Sequence, residues 1–180
     1  MLSTRITYLV VLTLICGCLV LGRLSSQEVI FSDTLDYLPM NIEGALENNL
    51  MIAASRGYDS EIERLILKGA NINAETYEGA TALIFAVANN RLATVKTLLN
   101  HDPDVNKMTF NNETPLIISV KNQYAEIAEA LIRGGADIDL ADKFGVTPLH
   151  YAAISGSFVM ADLLLYYEAD CNKKSNDGTT

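Results

Sequence analysis

The stretch DKFGVTPLHYAA at residues 142–153 decides how this chain folds, because residues typical of a tight turn run directly into those of a helix start. Gly145 can adopt a positive φ in a turn at little steric cost. Thr147 can accept a hydrogen bond from the free backbone N–H groups that follow it. Pro148 falls at the first helical position, where its missing N–H costs nothing. The stretch therefore predicts a turn that leads into a helix at residue 148.

The same pattern returns upstream at a constant spacing of 33 residues. A fixed period without insertions indicates an array of one supersecondary unit, in which each unit packs on its neighbours. Corresponding positions are Leu50, Leu83, Leu116 and Leu149 in a first helix, Leu65, Leu98, Leu131 and Leu164 in a second helix, and Asn73, Asn106, Asp139 and Asn172 in the loop after it.

The order G-x-T-P-L-H-x-A-A, then a Leu-Leu pair, then A-D-x-N resembles the ankyrin repeat over about residues 46–180. The resemblance implies an all-α solenoid of stacked helix-turn-helix units. The chain departs from the family pattern at Ala82, which replaces proline, and at Pro103, which replaces alanine. Asp102 and Glu168 stand where glycine is usual, and we expect them to weaken the caps that end the second helices.

The period divides the chain into a targeting segment at 1–26, a spacer at 27–41 and an array at 42–180. The first unit lacks the turn signature, as is typical of an end cap. We expect an uncovered apolar face on the fourth unit, formed by Ile154, Phe158, Val159 and Leu163, so that the chain is a fragment of a longer array or associates through this end. The predicted units are 42–73, 74–106, 107–139 and 140–172, with a partial unit at 173–180.

The first 26 residues have the pattern of a secretory signal peptide, because Arg5 precedes an apolar run at residues 6–21. This run is shorter than the roughly 20 residues of a membrane-spanning helix. We favour cleavage after Gly22. Two alternatives are a lipid on Cys18 and an uncleaved N-terminal anchor. All three place the repeats outside the cytoplasm, either periplasmic or secreted, and the last two attach them to a membrane.

The formal net charge of −9 disfavours nucleic acid as a partner, because the chain repels phosphate backbones. Loss of residues 1–26 would remove two of the 13 basic residues and none of the 22 acidic ones, which gives −11. The three cysteines do not indicate a disulfide framework. Cys171 corresponds to Ile138 and Val105 in other units, so we predict a small buried apolar side chain.

No motif for catalysis, a cofactor or a metal stands out. The chain has two histidines and neither a G-x-S-x-G nor a phosphate-binding loop sequence. The resemblance implies that His150 makes a structural hydrogen bond, and His101 lies where a helix end favours a cation. A Ca²⁺ site could be suggested by the loop acids Asp102, Asp104, Asp137 and Asp139. The recurrence of Asp and Asn in these loops follows loop geometry instead. We therefore predict a non-enzyme without cofactor or metal.

The resemblance implies instead that a partner protein docks on the turn tips and on the exposed side of the inner helices. Tyr77, Phe110 and Phe144 are notable, since aromatic side chains are enriched at interface hot spots. Each ring could alternatively fold back over a turn. The favoured function is an exported protein-interaction scaffold, and the alternative is an accessory subunit or inhibitor of an exported enzyme. The predicted partner-binding residues are Tyr77, Glu78, Phe110, Asn111, Glu113, Lys121, Lys143, Phe144, Val146 and Ile154.

Overall fold

The computed structural model describes residues 45–180, which contain eight α-helices and no strand. This confirms the all-α fold. The predicted signal peptide and spacer lie outside the described residues. None of the eight helices combines the length and the apolar character that crossing a membrane requires. The helices are α1 (Ala45–Arg56), α2 (Asp59–Leu67), α3 (Ala82–Ala88), α4 (Leu92–Leu99), α5 (Pro115–Lys121), α6 (Ala125–Arg133), α7 (Pro148–Ile154) and α8 (Phe158–Tyr166).

Consecutive helices pair within each unit, and the pairs stack side by side. The inner helices α1, α3, α5 and α7 contact one another in that order, and the outer helices α2, α4, α6 and α8 do the same. Small side chains allow neighbouring inner helices to pack closely, and the residues at these contact positions are almost fully buried. These residues are Ala53, Ala86, Ser119 and Ala152.

The threonine of each turn starts the next inner helix as predicted. The hydroxyl oxygen of Thr81 accepts from the backbone N–H of Ile84, and Thr147 accepts likewise from His150. Pro148 occupies the first turn of α7, whereas Ala82 takes this place in α3. The cap therefore forms with or without proline, because it depends on the threonine side chain.

The loops between units are joined by hydrogen bonds from backbone to side chain. The N–H of Asp104 donates to Oδ1 of Asn73 at 2.8 Å, and the N–H of Asp137 donates to Asn106 at 2.8 Å. A third bond of 3.0 Å joins Asp170 to Asp139 in the same way. The recurring Asp and Asn residues thus bind neighbouring loops together, which agrees with the loop geometry inferred from their spacing.

Two positions on the fourth unit differ from expectation. Cys171 is exposed, not buried, because no helix pair among the described residues packs on this side of the unit. Leu163 is half-buried and packs against the core. It follows the buried Met160 by three residues and so shares its helix face. Ile154 and Phe158 are exposed as expected, at 76 and 88 %.

Candidate protein-interaction site

The inner helices α3, α5 and α7 are each preceded by a tight turn that is closed by its own backbone. The N–H of Thr76 donates to the carbonyl of Ala80 at 2.9 Å, and the corresponding bond from Asp142 to Val146 is 3.1 Å. The turns need a residue in the left-handed region, which Gly79 and Gly145 supply at φ 77° and 76°. Corresponding to these glycines, Asn112 adopts φ 58°, as its side chain allows.

Neighbouring turns are hydrogen-bonded to one another, which places their tips along one edge of the stack. The N–H of Phe110 donates to the carbonyl of Glu78 at 3.0 Å, and that of Lys143 donates to Asn111 at 3.3 Å. The second and third units lie so close here that a Cβ on Gly79 would be 2.9 Å from the carbonyl oxygen of Met108. The tips therefore form a continuous, well-fixed surface.

The three aromatic side chains of the tips are exposed on this surface. The exposed fraction is 90 % for Tyr77, 65 % for Phe110 and 59 % for Phe144. Tyr77 and Phe110 contact each other edge to face, with ring centroids 5.4 Å apart. Nζ of Lys143 lies 5.1 Å from the ring centroid of Phe144 and donates to Oδ1 of Asn111 at 2.7 Å. The rings contact their neighbours without entering the core, so most of their area is accessible to a partner.

Beside the tips, charged side chains line the exposed side of the inner helices. Lys121 at the end of α5 forms an ion pair with Glu113, with Nζ and Oε1 2.5 Å apart. The same ammonium lies 5.2 Å from the ring centroid of Tyr151 on α7. These contacts place Lys121 and Glu113 next to each other, as a common partner surface requires. Their charges largely neutralise each other, however, so this pair would select a partner by its shape more than by its net charge.

The remaining predicted residues differ in accessibility. Glu78 and Asn111 are exposed at the tips, and Ile154 is exposed at the end of α7. Val146 is half-buried, and its backbone N–H and carbonyl both make hydrogen bonds inside its own turn. Val146 thus helps to hold the tip, and its contact with a partner stays a prediction.

Sequence reasoning overlooked a buried carboxylate under the third tip. Asp142 is 7 % exposed, and its Oδ1 accepts the N–H groups of Phe144 and Val146 at 2.8 and 3.0 Å. Its Oδ2 accepts the phenol O–H of Tyr151 at 2.7 Å. Burial, followed by this hydrogen bond and the charge of Asp142, raises the pKa of Tyr151. The carboxylate fixes the backbone that carries Lys143 and Phe144.

Both histidines have structural partners. Nδ1 of His150 accepts the N–H of Thr147 at 3.2 Å, which gives the structural hydrogen bond expected from the resemblance. Nε2 of His101 lies 3.0 Å from Oε2 of Glu63 in the preceding unit. Within residues 45–180 no three His, Cys, Asp or Glu side chains are grouped as metal ligands.

The ankyrin repeat family model matches the chain three times, over residues 32–109, 50–142 and 106–177. These overlapping matches extend over most of the sequence, so the chain belongs to the ankyrin repeat family. A search of curated proteins finds no significant match. Ankyrin repeats are generally protein–protein interaction modules, and this defines the class of protein to which the chain belongs.

Proposed function

We propose that this chain is a non-catalytic binding module, and that its partner protein docks on the turn tips and on the adjacent ends of the inner helices. The row of exposed rings carries the proposal. Tyr77, Phe110 and Phe144 lie on successive hydrogen-bonded turns, where polar side chains would be expected. Aromatic side chains bury a large area on binding and often account for most of the affinity of an interface.

The rigidity of the tips supports the same function. Ordering a loop or a side chain on association costs free energy that reduces affinity. Here the backbone of each tip is already held by bonds within its turn and to the next turn. Lys143 is likewise positioned by Asn111 and by the ring of Phe144. A partner would therefore meet a surface that needs little reorganisation.

The test is replacement of all three rings by alanine in the full chain. A partner is first isolated from the native host with the unmodified protein, and its affinity is then measured for both proteins. We expect the triple variant to lose several kcal/mol of binding free energy in total, because each truncated hot-spot ring costs about 1–2 kcal/mol or more. Its thermal unfolding midpoint should change little, since the rings are largely exposed.

Leu67→Ala is the matched control, because Leu67 is 85 % exposed and lies at the end of α2, away from the tips. It should leave the affinity unchanged. If the triple variant bound its partner normally but melted much earlier, the rings would be packing residues and the proposed site would be wrong.

We also propose that the module acts outside the cytoplasm. The support is the N-terminal sequence, in which Arg5 precedes the apolar residues 6–21. A reporter enzyme fused after Ser26 should be active only when it reaches an exported compartment. Mass spectrometry of the mature N-terminus would distinguish cleavage after Gly22 from a lipid on Cys18. Cytoplasmic reporter activity on the uncleaved chain would contradict export.

A further inference from the structure

The outer helix of the fourth unit is apolar around almost its whole circumference. Its sequence, FVMADLLLY, has one charged residue, Asp162. Only Met160 and Leu164 of this helix are fully buried. A helix that is apolar on all sides is ordinarily covered on all sides. The outer surface of α8 therefore differs from that of a typical solvent-facing helix, as is expected of a surface that another molecule contacts.

Comparison of the four units separates this surface from the face on which a further unit would stack. Positions equivalent to Phe158 and Leu165 are partly buried in units one to three, so these two residues carry no weight here. Positions equivalent to Val159 and Tyr166 are exposed in every unit. Stacking of units leaves them uncovered in each case. In the third unit the equivalents are Glu126 and Arg133, as expected for solvent-facing positions.

Val159, Asp162 and Tyr166 lie on one side of α8, at positions i, i+3 and i+7. We call these three residues the outer patch. Val159 is 68 % and Tyr166 79 % exposed. The ring of Tyr166 contacts the ring of Tyr167 edge to face, with centroids 5.1 Å apart. The phenol oxygen of Tyr167 accepts from Nε of Arg133 at 2.9 Å, so the aromatic pair is anchored to the third unit.

The charges in and around the outer patch are mainly negative. Asp162 has no ion-pair or hydrogen-bond partner among the described residues, and it lies between the two apolar side chains of the patch. Arg133, which is hydrogen-bonded to Tyr167 beside the patch, is neutralised by Glu129, with Nη2 and Oε1 2.8 Å apart. Glu126 adds a second exposed carboxylate on the same side of the stack. An apolar surface with an uncompensated carboxylate is complementary to apolar side chains that flank a cation.

We propose that the outer patch binds an amphipathic helix of a partner protein, one that presents apolar residues together with Lys or Arg. This surface is separate from the turn tips, and the proposal does not depend on their function. A second copy of the chain is a poor occupant, because Asp162 is the central residue of Phe158–Tyr166. Antiparallel pairing of two α8 helices about a twofold axis would bring two carboxylates together.

The probe is a fluorescent 14-residue peptide of leucine and lysine in an amphipathic helical pattern, titrated with the full chain at physiological salt. The key variant is Val159→Glu with Tyr166→Arg, which installs the residues of the third unit. It leaves the net charge at −9, so any non-specific attraction of the cationic peptide is unchanged. We expect the dissociation constant of the peptide to be at least tenfold higher for this double variant than for the unmodified chain. Fluorescence anisotropy measures the affinity, and thermal unfolding checks the fold.

Three further comparisons identify the source of binding. Leu67→Asn, at the position equivalent to Tyr166 in the first unit, should bind like the unmodified chain. Asp162→Asn should raise the dissociation constant several-fold, and so should a peptide with glutamate in place of lysine. Equal binding by the unmodified chain and the double variant would overturn the proposal. Sedimentation that showed a dimer of the unmodified chain, lost in the double variant, would also overturn it by making a second copy the occupant.

Discussion

Replacing Asp142 by threonine tests how the third turn tip is held. Threonine or serine occupies this position in the turns of units two, three and five, and the hydroxyl of Thr76 accepts the N–H groups of Glu78 and Ala80 at 3.3 and 3.1 Å. Asp142→Thr should therefore keep the two bonds inside the turn and lose only the bond from Tyr151. The experiment isolates one hydrogen bond to a buried carboxylate.

The magnitude follows from the partners of that bond. A hydrogen bond to a charged group contributes about 1.5–3 kcal/mol, and a buried donor left without a partner costs about 1–3 kcal/mol. We expect Asp142→Thr and Tyr151→Phe each to lower the free energy of unfolding by about 1.5–3 kcal/mol. The double variant should cost about as much as either single change, because both remove the same bond. Asp142→Ala also removes the two turn bonds and should cost about 3–5 kcal/mol.

Urea unfolding of the full chain, followed by circular dichroism, measures these differences. The phenol titration gives an independent reading. The pKa of Tyr151 is raised in the folded chain. The neutral phenol therefore stabilises the fold fully below its unfolded pKa near 10, and this stabilisation is lost as the pH rises through the folded pKa. The phenol of Tyr151 should thus ionise at a lower pH in Asp142→Thr than in the unmodified chain, because the hydrogen bond and charge of Asp142 are lost while burial still raises its pKa. If the single costs simply added in the double variant, the two side chains would not share the bond and the reasoning would fail.

Other predictions concern turns, caps and core. Gly79→Ala should lower the free energy of unfolding by about 1–3 kcal/mol and by more than Gly69→Ala, because both glycines have positive φ but only Gly79 has no room for a Cβ. Melting curves of the two variants should therefore show the lower midpoint for Gly79→Ala. Glu168→Gly should raise the unfolding free energy by up to about 1 kcal/mol, because Glu168 has φ 65°; equal stability in urea would contradict this. Hydrogen bonds from Ser175 and Thr179 lower the pKa of Asp177 to about 2. The ionised carboxylate should therefore stabilise the turn above about pH 4, and this contribution should be lost as the pH falls through 2. Carbon-13 NMR of the Asp177 carboxyl should give a titration midpoint near 2 in the unmodified chain and one nearer 3.8 in Ser175→Ala. Leu131→Ala should cost about 2–5 kcal/mol in urea unfolding, since Leu131 is fully buried, and a smaller loss would mean that the core closes around the gap.

The repeating architecture could be predicted from the sequence because its causes are local. A threonine cap, a proline at the first helical position and a left-handed turn residue act within a few residues of one another. The period then fixes which helices become neighbours. Asn112 illustrates this, since it occupies the position of Gly79 and Gly145 in the period and shares their positive φ.

Features that depend on a neighbouring unit, or on a residue that departs from the repeat pattern, were harder to predict. Cys171 occupies the position of a buried residue, but burial there comes from contacts that the pattern of one unit does not contain. The bond between Asp142 and Tyr151 joins a turn to the helix after it, and the other turns use a hydroxyl in place of the carboxylate. The aromatic tips are recognisable in the sequence because a large ring in a turn is unusual, whereas the contact of Tyr77 with Phe110 depends on how two neighbouring units stack.

The hydrogen bonds between units also determine how the stack would respond to tension. Among residues 45–180 no side-chain hydrogen bond joins residues more than 38 positions apart; two bonds of this span connect Glu63 with His101 and Glu129 with Tyr167. Force applied to the two ends of the stack would therefore pass through each interface in series, and no interface would be reinforced by a distant part of the chain. Units should detach one at a time, each releasing up to about 110 Å of extended chain. The module would lengthen in steps under load, while the units still stacked kept their shape.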